Sequence, residues 1–190
     1  TEIQPHLYEQ QLAGKRDEII ETFSELTSSE IEVFRSEPLN YRMRAEFRIW
    51  HEGEDMYHIM FDSETKEKYR VDQFPPGATV INQAMSALIE LLKSNETLRR
   101  KLYQIDYLTG LSGELLVSLI YRRQLDDLWL EEAQKLKTSL SEKFNINLIG
   151  RARKQKHLLD RDYIIESLSV SGKEFTFKHI ENSFTQPNAL

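Results

Sequence analysis

The chain has 190 residues and a formal net charge of -6 at pH 7. That length suits one large domain, or a domain with an appendage, and the acidic balance supplies no overall field to draw in nucleic acid. The absence of cysteine excludes, within this chain, a disulfide framework, a thiolate zinc site, an iron–sulfur cluster and a cysteine nucleophile. No apolar run reaches the length of a membrane span and no signal-peptide pattern is visible, so a cytoplasmic protein without a membrane partner is the expectation.

Residues 5–26 read as one or two amphipathic helices: Tyr8 and Leu12 are four apart, Ile19, Phe23 and Leu26 share a face with Ile20 beside it, and Gly14 is the weak point. Residues 27–40 are mostly polar, contain Pro38 and read as a linker. Then Tyr41, Met43, Ala45, Phe47 and Ile49 alternate with Arg42, Arg44, Glu46, Arg48 and Trp50, the period-2 pattern of a strand with one buried face. Gly53 turns a hairpin into a return strand over 56–62, with Tyr57, Ile59 and Phe61 on one face. A third strand over 68–73 is broken by Phe74, Pro75, Pro76 and Gly77.

A strong helix follows, whose apolar face combines Val80, Ala84, Leu88 and Leu91 with Ile81, Met85, Ile89 and Leu92. A short basic helix is expected over 96–102, then strands over 104–108 and 114–121. Asp126 or Asp127 opens the next helix, where an acid suits the positive end of the dipole, and Leu128, Trp129, Ala133, Leu136 and Leu140 form its apolar face. Further strands are expected over 146–151, 157–160, 163–170 and 174–177. The pattern predicts an α+β fold: a mostly antiparallel sheet with helices packed on one face, preceded by an amino-terminal helical segment.

The glycines build neither a dinucleotide fingerprint nor a P-loop, the histidines lack metal-ligand spacing, and the serines form no nucleophile elbow, so no metal and no complete active site are expected. The cations are more informative. Beside Arg42, Arg44 and Arg48 stand Arg99, Arg100 and Lys101, the pair Arg122 and Arg123, and Arg151, Arg153, Lys154 and Lys156. Trp50, Tyr103 and Tyr121 accompany some of them. Cations that grip a backbone, with rings on which unstacked bases lie, are what RNA recognition needs. Two readings stay open on this ground: solvated faces with local Arg–Glu pairing, or one shared RNA surface.

Five segments carry a resemblance: Y-R-M-R-A-E-F-R-I-W at 41–50, Y-H-I-M-F-D at 57–62, L-Y-Q-I-D-Y-L at 102–108, L-I-G-R-A at 148–152, and N-S-F-T-Q-P-N at 182–188. In this order they resemble the bacterial tRNA (uracil-5-)-methyltransferase family through essentially the whole chain. The resemblance implies an enzyme that uses S-adenosyl-L-methionine to methylate the T-loop uridine of tRNA, giving 5-methyluridine, and that also acts on transfer-messenger RNA (tmRNA). In that family a cysteine adds to C6 of the flipped-out uracil, C5 takes the methyl group, and a carboxylate base removes the C5 proton; flipping exposes carbons that the folded loop hides.

The family's S-C-N-P cysteine, general base and glycine-bearing cofactor motif follow the F-T-Q-P-N segment, at which this sequence stops, so the expectation is the amino-terminal, RNA-binding portion, inert alone. The implied organisation is 1–40 as a helix and linker docking on the catalytic domain, 41–178 as an RNA-binding α+β domain, and 179–190 as the start of the methyltransferase domain. By resemblance Gln186 contacts S-adenosyl-L-methionine, Arg48 contacts the T-arm, and Tyr103 stacks on RNA bases. Arg42, Arg44, Arg151, Arg153 and Lys154 are the further candidate RNA contacts. The ribosomal-RNA relatives often carry an extra β-barrel and a cysteine-rich cluster; their absence here favours the tRNA branch. The alternative is a stand-alone RNA-binding or protein-interaction domain with no catalytic role.

Overall fold

The computed structural model describes residues 3–189. After a single 3-10 turn, Pro5–Leu7, the first helix α1 runs unbroken over Tyr8–Phe23. Gly14 does not interrupt it: a mid-helix glycine costs only about 1 kcal/mol relative to alanine. No residue of α1 is buried, and Ile19, Ile20 and Phe23 are each nearly half exposed. Its ties to the chain are polar: the Ser36 amide donates to the Tyr8 hydroxyl (2.8 Å), and Arg35 pairs with Glu9 (3.3 Å).

The main sheet has seven strands in the order β3-β2-β1-β4-β5-β6-β7: β1 Arg44–Glu52, β2 Asp55–Phe61, β3 Lys68–Arg70, β4 Leu102–Thr109, β5 Leu115–Tyr121, β6 Ile146–Ala152 and β7 Gln155–Leu158. All neighbours pair antiparallel except β5 and β6, which are parallel and joined by the crossover helix α4, Asp127–Ser141. Helices α2, Thr79–Lys93, and α3, Glu96–Arg99, connect β3 to β4. Asn95 caps α3 by accepting from the Leu98 amide, and Asp126 caps α4 by accepting from the Trp129 amide (2.9 Å). A separate hairpin, β8 Tyr163–Val170 with β9 Lys173–Ile180, completes the chain.

The three later helices cover one face of the sheet. Phe47, Ile105, Val117 and Leu148 point from the strands into a core shared with Met85, Leu88 and Leu92 of α2, Leu98 of α3, and Trp129 and Leu136 of α4. Each such side chain contributes roughly 1.5–3 kcal/mol on burial. Gly150 lets α4 approach: a Cβ there would stand 2.1 Å from the Trp129 ring.

Some expectations need correction, though not the shared face of Tyr57, Ile59 and Phe61: it lies away from the helices, and Ile59 is buried there, while Met56 and His58 turn to the helix side. His58 is held by the Tyr107 hydroxyl (2.8 Å), and burial lowers its pKa to about 4. The basic helix ends at Arg99, because Leu102 is needed in the core as the first residue of β4. Leu128 is more than half exposed, since the buried stripe of α4 is Trp129, Ala133, Leu136 and Leu140 at helical spacing and Leu128 falls beside it. The seventh strand begins two residues early, at Gln155, because Lys154 takes φ 60° and closes a tight turn without glycine.

Candidate nucleic-acid interface

The sheet face away from the helices is divided in two. Over β5 and β6 it is covered by the β8–β9 hairpin, where Ile164 packs on Leu116 and Ile149 with Leu108 beside them. Polar clamps hold the hairpin there. The Leu111 amide donates to Glu166 (2.6 Å), the Ser112 hydroxyl to the Ile165 carbonyl (3.1 Å), and Arg161 pairs with the buried Glu114. Glu181, just past β9, accepts from Arg151 (2.7 Å) and Ser118 (3.2 Å) and pairs with Lys156 (3.3 Å).

The other half, over β1 to β3 and the start of β4, has no such cover. Tyr103 reaches it through an irregularity in the sheet. Leu102 pairs with Tyr121 and Gln104 with Ile120, leaving Tyr103 as the extra residue of a bulge, a device that re-aims a side chain. Arg48 approaches the Tyr103 ring from β1, its guanidinium carbon 4.1 Å from the centroid. Arg122 approaches from the end of β5, at 3.7 Å. Two guanidiniums lie over one aromatic ring, so a base stacks on Tyr103 when a guanidinium leaves its face, and the displaced cation is then placed to meet a phosphate. Arg48 and Arg122 are exposed and make no ion pair among the described residues.

The remaining candidates are placed differently. Arg42 donates to the Arg44 carbonyl (2.9 Å), and Arg44 pairs with Glu46 (2.8 Å) and donates to the Ser183 carbonyl (2.9 Å). Both thus hold the start of β1 against the C-terminal segment. Arg151 is paired to Glu181, whose side chain is only 7% exposed. Arg153 and Lys154 are exposed at the β6–β7 turn, which the Arg153 carbonyl joins to Gln124, two residues beyond Arg122. Arg99 and Arg123 point inward onto backbone carbonyls, those of Gly53 and Glu54 for Arg99 and of Thr97 and Arg100 for Arg123. Arg122, which the sequence offered only as one of a basic pair beside Tyr121, was not among the candidate RNA contacts, and it is the member of that pair that lies over Tyr103. Its signal was available, since Ser118, Ile120 and Arg122 continue one face of β5.

Gln186 is exposed on a segment fixed at both sides: the Met43 amide donates to the Pro187 carbonyl (2.6 Å), and Asn188 bridges to Arg42 and donates to Ser36 (2.9 Å). From Met43 to Arg48 is five residues of extended chain, about 17 Å. Gln186 and the Tyr103 cluster therefore occupy separate positions along β1. Asp106 lies between them, half-buried beside Ser118 at the margin of the hairpin cover; burial, opposed by a hydrogen bond from Gln104 (2.7 Å), raises its pKa to about 6. Among the described residues no group of three or more His, Cys, Asp or Glu is arranged to hold a metal, and no helix is long and apolar enough to cross a membrane.

The family model described as tRNA (Uracil-5-)-methyltransferase matches residues 7–190. A tRNA/tmRNA (uracil-C(5))-methyltransferase of Vibrio vulnificus is 57% identical over 98% of this chain and 51% of its own length. One of Pseudoalteromonas atlantica is 56% identical over 100% of this chain and 52% of its own. The chain thus spans about half the length of the curated relatives it matches. The Pyrococcus abyssi tRNA (uracil-54, C5)-methyltransferase, solved with S-adenosyl-L-homocysteine, superposes with a TM-score of 0.65 at 16% identity, covering 96% of this chain and 44% of that one, a likeness of fold alone. By the family match and these identities, the chain belongs to the tRNA (uracil-5-)-methyltransferase family.

Proposed function

We propose that this chain is the RNA-recognition portion of an S-adenosyl-L-methionine-dependent methyltransferase that forms 5-methyluridine in the T-loop of tRNA, and in tmRNA. The observation that carries this reading is the Arg48–Tyr103–Arg122 cluster on the uncovered half of the sheet, an aromatic ring under two guanidiniums that make no ion pair among the described residues. In an acidic chain, nucleic acid must be held by local cations, and Arg48 and Arg122 make no ion pair among the described residues. Arg48 and Arg122 contact T-arm phosphates, Tyr103 receives a base, and Arg153 with Lys154 extends the track along the same end of the sheet. Arg42 and Arg44 act indirectly, by fixing the start of β1. A tRNA substrate implies a cytoplasmic setting.

The fit of the cofactor to this chain rests on Gln186. Its amide is exposed and makes no hydrogen bond among the described residues, and it both donates and accepts. S-adenosyl-L-methionine supplies the methyl group when bound, and Gln186 contributes one edge of its site. The cysteine nucleophile has no counterpart here, so this chain alone is inert. Residues 1–40 dock on the catalytic domain through the uncovered apolar side of α1, residues 41–178 bind RNA, and 179–190 open the methyltransferase domain.

The test is fluorescence anisotropy of a labelled T-arm hairpin with this chain, in parallel with a shuffled hairpin. Preference for the T-arm that weakens with salt supports the reading. Equal binding of both hairpins points to a general RNA-binding domain, and binding of neither to a protein-interaction module.

A further inference from the structure

The uncovered half of the sheet holds a second cation–aromatic cluster beside the first. Trp50 lies two residues beyond Arg48 on β1, about 7 Å along the strand on the same face. Its register partner is Tyr57 on β2. The Lys68 ammonium, from β3, stands 3.0 Å from the centroid of the Trp50 ring. Trp50 is 38% exposed, and Lys68 makes no ion pair among the described residues. The neighbouring Arg70 differs: it leans on Tyr57 (4.6 Å) but is neutralised by Asp55 (3.1 Å) and Asp72 (2.7 Å). Lys68 is therefore the available cation of this cluster.

We propose that Trp50 and Lys68, with Tyr57 alongside, form a second nucleotide station on this surface, which takes an unpaired RNA nucleotide next to the one held at Tyr103. The proposal rests on the RNA-recognition reading above. The spacing fits successive nucleotides of an unstacked strand, and the chemistry is the same in both places: a π-face for the base and an unpaired cation for the phosphate. An ammonium 3.0 Å from the ring occupies the layer a stacked base requires, so the two cannot share it. Lys68 is at the end of a flexible four-carbon stem and swings off the indole to the nucleotide's phosphate as the base arrives. In the RNA-free chain the lysine keeps the ring covered and places a charge on the short edge strand β3, which also discourages edge pairing with other chains.

The chain has two tryptophans, and the other, Trp129, is fully buried in the core, so the exposed indole reports on this station directly. The experiment titrates the 190-residue chain with a labelled T-arm hairpin, following tryptophan emission and RNA anisotropy together. The proposal expects emission to fall with the same saturation as the anisotropy, and the change to vanish in Trp50→Phe, which keeps affinity within about threefold because a π-face remains. Trp50→Leu weakens binding by roughly 5- to 100-fold, and Lys68→Gln lowers the slope of log affinity against log salt by about 0.7. The proposal is overturned if the hairpin binds and Arg48→Ala weakens it while Trp50 emission stays constant, or if Trp50→Leu, folded by circular dichroism, binds as tightly as the native chain. Should Trp50→Leu fail to fold, the native emission titration decides alone. A hairpin that does not bind at all overturns both this station and the RNA-recognition reading.

Discussion

Replacing Glu181 with glutamine tests how the hairpin is held. The change preserves size but removes the charge that Arg151, Lys156 and Ser118 all address. Breaking a fully buried pair by removing one partner costs about 3–5 kcal/mol, and an exposed pair is worth about 0–1 kcal/mol. Here the acid is 7% exposed and each cation 31% exposed, an intermediate case. The expected loss is therefore about 2 kcal/mol, a fall of roughly 1 M in the urea midpoint. Burial pushes the Glu181 carboxyl up, but Arg151 and Lys156 outweigh it and leave its pKa below the usual value. Its contribution is thus present above the unfolded carboxyl's pKa and lost as pH falls through the folded one, so the gap between native and Glu181→Gln chains narrows as the solution is acidified below the usual carboxyl range. Urea titrations at pH 7 and pH 3.5, followed by circular dichroism, measure both. A loss under 0.5 kcal/mol at pH 7, or a gap as wide at pH 3.5 as at pH 7, would refute the reasoning.

Further predictions concern the core and the margin of the hairpin cover. Gly150→Ala drives a methyl to 2.1 Å from a buried indole, so urea titration should show a loss of about 3 kcal/mol, at the upper end of overpacking costs. Asn82→Ala removes the amide that accepts from the Phe74 amide (2.6 Å) and donates to the Phe74 and Gly77 carbonyls (2.9 Å each); a loss of about 2 kcal/mol is expected by the same measurement. Asp106 keeps its proton to about pH 6 in the folded chain and to about 3.8 unfolded, so stability falls as pH rises through that window. Allowing for partial exposure, the effect is about 2 kcal/mol, and Asp106→Asn should flatten the profile measured by thermal denaturation between pH 4 and 7.

What was legible in the sequence is what depends on local periodicity. The alternation from Met43 to Trp50 identified β1 and its two faces, because a strand's period of 2 leaves no other assignment for Ala45, Phe47 and Ile49. The apolar stripes of α2 and α4 were legible in the same way. What was not legible depends on partners distant in sequence. Arg151 stands in a basic run in the sequence, and its bond to Glu181, thirty residues on, is not visible there. Arg44 is tied to Ser183, and nothing near either residue announces the bond. Which face of β2 would turn to the helices was ambiguous, since Tyr57, Ile59 and Phe61 are as apolar as Met56, His58 and Met60; the register with β1 decides it. Tyr103 and Arg48 were both candidates by resemblance, but the bulge that turns Tyr103 toward Arg48 is a property of the pairing with β5. Gly150 drew attention only for the motif it failed to make, whereas its role is to admit Trp129.

The central claim is that the cluster around Tyr103 receives RNA, and the most direct measurement is the affinity of a labelled T-arm hairpin for the native, Arg48→Ala and Tyr103→Ala chains across a salt series. Binding that falls with salt is expected. Arg48→Ala should reduce the salt slope by about 0.7, and Tyr103→Ala should cost about 1–3 kcal/mol at every salt concentration. Both variants binding as the native chain does, with all of them folded, would contradict the account.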